Sequence, residues 1–221
     1  MATSINEYDT VFQAWVATCA WMGTPAPPVA AEIFQPVLEA YRQPHRHYHN
    51  LRHIAQCLDE LAAVRPDLDD EVAVHAAILF HDCVYDPRQG DNEERSADVA
   101  EAVMRRGKWP QASIDNVRRL ILATNHDGHP ESHDAATVVD VDLSILGKPR
   151  GNFDEYERAI RREYEHVPDA DFAAGRARVL RSFLDRPTIY QSPPFRALYE
   201  KQARENLQRS LARLERGDLP T

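Results

Sequence analysis

The sequence predicts an all-α fold. Apolar residues recur at helical steps of three and four through most of the chain, while Val, Ile and Thr rarely gather into the alternating runs that strands need. Prolines, and acidic or amide side chains suited to helix starts, fall where the periodic stretches break. With no internal repeat, low-complexity tract or linker, the 221 residues read as one domain, 1–221, long enough to bury a sizeable core.

Taken in order, Met1 to Thr10 is polar and has no basic patch leading into an apolar run, so no secretory signal is read. The apolar stretch from Val11 to Met22 is too short, and too broken by Gln13 and Thr18, to span a bilayer. Leu51, Ile54, Leu58 and Leu61 make roughly Asn50 to Val64 an amphipathic helix that Pro66 ends. Asp69 or Asp70 can cap the next helix, which runs through Val72 to Phe80 and is expected to continue to about Tyr85, ahead of Pro87. Apolar on nearly every side, it belongs at the centre of the fold. A Gly- and Asp-containing loop, Asp86 to Asp91, leads into a polar helix from Asn92 to about Arg106, and another spans about Gln111 to Thr124.

The segment from Thr137 to Leu146 alternates Val139, Val141, Leu143 and Ile145 with polar residues, as a half-buried strand would. It is nevertheless read as helix, because a lone strand finds no partner in a helical chain. From Asn152 onward three more helices are expected, broken near Pro168 and between Pro187 and Pro194, the last strongly charged from Phe195 to Arg216.

Lys plus Arg total 26 against 35 Asp plus Glu, a formal charge of −9, so the surface offers no generic attraction for nucleic acid or an anionic membrane. A small phosphate held by local cations or a metal is still compatible with it. The three cysteines, Cys19, Cys57 and Cys83, lie in apolar stretches without metal-ligand spacing, which suits structural thiols in a reducing, cytoplasmic compartment. No oligomeric state is read from the sequence.

Histidine is the unusual residue: nine of the ten lie between His45 and His133, four of them within the segment from His45 to His53. On a wheel advancing about 100° per residue, His49 and His53 share a face roughly opposite Leu51, Ile54, Leu58 and Leu61. A lone histidine there would be a solvated surface residue; two, preceded by His45 and His47, look like one wall of a polar cleft. His81-Asp82 interrupts an otherwise apolar run, where an ionised carboxylate costs several kcal/mol unless paired or bound to metal. A structural ion pair or cap would serve equally well. Asp140 and Asp142 are carboxylates inside another apolar run, with Asp140 expected to face solvent. Together these groups form a mixed nitrogen and oxygen set suited to Mn²⁺, Fe²⁺, Ni²⁺, Co²⁺ or Zn²⁺, with positions left for water and substrate.

The order His49, His81-Asp82, Asp142 resembles the H…HD…D signature of the HD-domain superfamily, an all-helical fold dominated by metal-dependent phosphohydrolases. Ala76-Ala-Ile-Leu-Phe-His-Asp82 is similar to the family's A-A-L-L-H-D element with one extra apolar residue, and His49-Asn-Leu-Arg-His-Ile-Ala55 loosely resembles H-S-x-x-V-A. Nearly end to end, the chain is similar to a bacterial group of predicted metal-dependent HD phosphohydrolases. Tyr48 to His53, Asn92 to Ala97, Ala123 to His126, Asp140 to Ser144 and Ile160 to Tyr164 carry that likeness.

The resemblance implies a single helical bundle with a central metal site, in which His49, His81, Asp82 and Asp142 bind one divalent ion (Mn, Fe, Ni, Co, Zn or Mg). It also implies that the ion activates water against a small phosphorylated substrate. Some relatives carry a catalytic Glu three residues after the HD pair; that position here is Tyr85, so Asp86 and Glu93 are the candidates, with Glu94 behind them. Acidic residues in the first turn also suit the helix dipole without any catalytic role. Where two-metal relatives place a further His this chain has Asn92, which favours one metal and leaves His126 to substrate phosphate. His53 and Arg161 are the remaining substrate-binding candidates, although Arg161 could equally pair within its own helix. His129 and His133 are read as loop residues. A di-iron oxygenase of the same fold and a non-catalytic, metal-stabilised ligand sensor are the alternative functions.

Overall fold

The computed structural model describes residues 6–23, 27–64, 66–126, 128 and 130–220. His129 lies outside them. Among the described residues the chain is helical throughout and contains no strand: α1 Glu7–Trp21, α2 Pro27–Ala40, α3 Leu51–Val64, α4 Glu71–Phe80, α5 Asn92–Arg106, α6 Gln111–Leu122, α7 His133–Asp142, α8 Arg150–Glu163, α9 Asp169–Leu184 and α10 Pro193–Glu215. Short 3-10 segments, Ala123–Asn125 and Leu143–Gly147, extend α6 and α7. These helices belong to two compact units, residues 1–139 and 140–221. The division falls inside α7, which as one continuous helix is described with the first unit.

In the first unit, α4 carries the core. Ala73, Val74 and every residue from Ala76 to Phe80 are buried, as a helix apolar on all sides requires. Asp70 caps its start by accepting from the Ala73 amide at 2.9 Å. From α7, Asp134 accepts from the amides of Asp69 and Asp70, each at 2.9 Å, and fixes the same turn. Trp15 of α1 stacks on Phe34 of α2 at 4.8 Å and meets Phe80 edge-on at 5.6 Å, and its indole donates to the Ala30 carbonyl at 2.8 Å.

Helix α4 stops at Phe80, not near Tyr85. Side chains take the backbone groups that a longer helix would need. Arg46 donates to the carbonyls of Asp82 and Cys83, the Val84 amide donates to Ser96 Oγ, and the Asp86 amide donates to Asn92 Oδ1. The HD pair therefore sits on a turn immediately after the central helix.

The alternating segment is helical as expected, because α7 and its 3-10 extension bury Val138, Val139, Val141, Leu143 and Leu146 together. His133 opens this helix as an exposed first residue and does not lie in a loop. Asp140 does not face solvent: it is 0% exposed. Its carboxylate accepts from the Gln191 and Ser192 amides at 2.8 and 2.6 Å and from Ser192 Oγ at 2.6 Å, serving the start of α10. Burial pushes this carboxyl above its ordinary range, against the pull of those hydrogen bonds.

The second unit packs α10 against α9 and against the 3-10 segment. Asn206 ties α10 to that segment, donating to the carbonyls of Leu146 and Lys148 at 2.8 and 2.9 Å. Gly147 is needed where they touch: a Cβ there would lie 2.4 Å from Tyr199 Cβ and 2.9 Å from its Cα. Gly147→Ala is expected to cost about 1–3 kcal/mol, the range for overpacking a fitted contact, and chemical denaturation would measure it.

Candidate metal centre

Helix α3 delivers His53 and the turn after α4 delivers His81-Asp82. His53 is the third residue of α3 and is 2% exposed, as is His81. The polar side of α3, with Arg52, Gln56 and Asp59, is exposed, so His53 belongs to the buried side, beside Cys57, and not to a polar wall opposite the leucines. The Nε2 atoms of the two imidazoles are 3.1 Å apart. Asp82 Oδ2 is 3.4 Å from His53 Nε2 and 3.1 Å from His81 Nε2.

The backbone orients one of these donors. His81 Nδ1 lies 3.0 Å from the Ile78 carbonyl, which can only accept, so Nδ1 carries a proton there and Nε2 is the atom turned toward His53 and Asp82. Ligating histidines are commonly held through the other ring nitrogen in this way. Cys57, one turn after His53, places its sulfur 3.7 Å from His53 Nδ1.

Two imidazole nitrogens and a carboxylate oxygen crowded together need a proton or a cation between them. Burial works against the charged form of Asp82. The charges of His81 and His49, with hydrogen bonds from His53 and His81, nevertheless hold its carboxyl well below the usual carboxylate range. With Asp142, the last residue of α7, these side chains form a group whose ligand atoms all lie within 4.8 Å of one another. A His₂Asp₂ set of borderline nitrogen and hard oxygen donors is chemically suited to a divalent metal ion.

Three of the four ligands expected from the sequence, His81, Asp82 and Asp142, are thus in the group, and its second histidine is His53 and not His49. His49 precedes α3 on a turn, where its ring stacks on Tyr85 at 4.1 Å while its charge still acts on Asp82. The two histidines are neighbours, with ring centres 6.1 Å apart.

The acid–base candidates separate. Asp86 Oδ1 accepts from the Arg88 amide at 3.0 Å and shapes its own loop. Asn92 closes that loop from the other side, accepting from the Asp86 amide and donating to the Asp86 carbonyl, each at 3.0 Å. Glu93 is half-buried. Burial, and then the charges of Asp82 and Glu94, raise its carboxyl above the ordinary value, while His126 opposes the rise. Glu93 is therefore an electrostatic neighbour of Asp82, and His126 of Glu93. His126 holds a left-handed backbone, φ 60°, at the end of the 3-10 turn after α6.

Arg161 has a different employment from the one expected of it. It donates to the carbonyls of Tyr164 and Val167 at 2.7 and 3.2 Å, pairs with Asp169 at 2.7 Å and stacks on Phe172. It joins the end of α8 to the start of α9, so the structure gives its guanidinium a structural task. Sequence reasoning passed over Arg46, which grips the backbone on both sides of the site; its one signal is being an arginine in a stretch without Asp or Glu between Glu39 and Asp59.

Among the described residues, no helix is long and apolar enough to cross a membrane. Comparison of the chain with family models, with curated proteins and with solved structures finds no match.

Proposed function

We propose that this chain is a metal-dependent phosphohydrolase of the HD type, acting on a small phosphoester, with nucleotides the first class to test. The observation that carries the reading is the convergence of His53 Nε2, His81 Nε2 and Asp82 Oδ2 within 3.4 Å. The H…HD…D order of the sequence supports it. His53, His81, Asp82 and Asp142 would hold one divalent ion, with His49 beside them. Bound there, the ion would supply a water of lowered pKa and screen the negative phosphoryl oxygens.

The chain's own residues supply the rest. The Ile78 carbonyl orients the His81 ring through Nδ1, so Nε2 already faces the donor group and would need only to give up a proton to an ion. Glu93, raised by burial and by Asp82, retains a proton to higher pH than an ordinary glutamate, which suits transfer to a leaving oxygen. His126, whose charge acts on Glu93, would balance the charge left behind. The amide of Asn92 is engaged in the Asp86–Asn92 loop, which favours a single ion over a di-iron centre.

A screen of nucleotides and an aryl phosphate with Mn²⁺, Co²⁺, Ni²⁺ and Mg²⁺ tests the reading. Phosphate release is expected with at least one pair and is expected to vanish in His81→Ala. Glu93→Gln is expected to lower kcat by roughly 10²- to 10⁴-fold, with metal binding retained. Silence across the whole screen from metal-loaded protein would favour a ligand-sensing role.

A further inference from the structure

Arg46 is 5% exposed and makes no metal-type contact, yet it bonds to the backbone on both sides of the donor group. Its Nη1 donates to the His49 carbonyl at 3.0 Å and to the Asp82 carbonyl at 2.6 Å, and its Nη2 to the Cys83 carbonyl at 3.0 Å. Nε is oriented by Gln43 Oε1 at 3.1 Å. The guanidinium carbon lies 5.3 Å from the Tyr41 ring centre and 5.7 Å from that of Tyr85. Tyr85 in turn stacks on His49, and the Tyr41 hydroxyl donates to the Leu79 carbonyl at 3.1 Å.

Every polar partner of this guanidinium is neutral. Burying a full charge among carbonyls and rings is costly, and a neutral side chain could pack the same space without that cost. What only arginine offers is a planar fork able to satisfy three carbonyls at once. Two of those carbonyls follow the end of α4, where the helix leaves acceptors without partners and the dipole favours a cation. The third belongs to the turn that enters α3. The fork therefore spans the elements that deliver His81-Asp82 and His53.

We infer that Arg46 is a positioning residue for metal: it sets the separation between the His81-Asp82 turn and the start of α3, and through it the affinity of the donor group for a divalent ion. The inference rests on the donor group being a metal site. A lysine in its place would reach one carbonyl and leave two unpaired.

Titrating chelator-treated wild-type, Arg46→Lys and Arg46→Met proteins with Co²⁺, followed by ligand-field absorption, tests this; far-ultraviolet circular dichroism monitors the fold. Arg46→Met is expected to stay helical and to bind Co²⁺ about 10- to 100-fold more weakly, the usual effect of losing an outer partner of a metal site. Arg46→Lys is expected to fall between it and wild type, with an altered absorption envelope. Helical variants that bind Co²⁺ as wild type does would overturn the inference alone. Loss of the helical fold in both variants would overturn it in favour of a plain core brace. Wild-type protein that binds no Co²⁺ would overturn the metal reading itself, and this inference with it.

Discussion

Asp82→Ala is expected to lower the affinity for a divalent ion by at least about 100-fold, beyond the loss that follows removal of an outer partner. Asp82 supplies the oxygen that meets both imidazoles, and its negative charge is held in place by the histidines around it. Its side chain is 16% exposed and lies on a turn, so the helices do not depend on it for packing. The cost in stability is expected to stay near 1–3 kcal/mol, the penalty for leaving polar neighbours without a partner. Metal titration beside thermal melting separates the two effects. Equal losses of binding and fold would show that Asp82 is a structural pair of the buried histidines.

The largest effect on stability is expected in the second unit, at Arg176. Its side chain is 10% exposed and that of its partner Glu157 is 4% exposed. Arg176 Nη2 also donates to the Tyr156 hydroxyl at 2.9 Å, and Ser210 Oγ donates to Glu157 Oε2 at 2.6 Å. Arg176→Met would leave the Glu157 carboxylate buried without its cation, at a cost of about 3–5 kcal/mol. For a protein of this length that lowers Tm by roughly 10 °C. Adding Glu157→Gln removes the stranded charge and is expected to recover much of the loss, so the double variant should melt above Arg176→Met alone. A single variant that melts like wild type would mean that water reaches the carboxylate and screens it.

How far these features were legible in the sequence differs from element to element. Helix α3 was readable because its leucines repeat at one period, and α4 because only His75 breaks its apolar run between Val72 and Phe80. The end of α4 was not readable. It is set by Arg46, Ser96 and Asn92, up to 37 positions away in sequence, capturing backbone groups that local propensity assigns to a helix. Asp140 illustrates the same limit, since a carboxylate that serves a helix start 52 residues later cannot be told from a solvated one by its neighbours.

The candidate site was legible as chemistry more than as geometry. His81-Asp82 and Asp142 stand out because carboxylates in apolar runs demand a reason. Choosing between His49 and His53 needed the start of α3: the helical wheel puts both on a polar face, but His49 falls on the turn outside the helix, against Tyr85, while His53 lies on the buried side with Cys57. Arg161 was chosen for its family-like surroundings, and its donors turn out to complete the α8–α9 connection.

The central claim is that His53, His81, Asp82 and Asp142 hold one divalent ion. Calorimetric titration of chelator-treated full-length protein with Mn²⁺ measures this directly. Saturable binding of one equivalent per chain, abolished in His53→Ala and in His81→Ala, is the predicted result. No saturable binding, two equivalents per chain, or binding that survives both substitutions would contradict it.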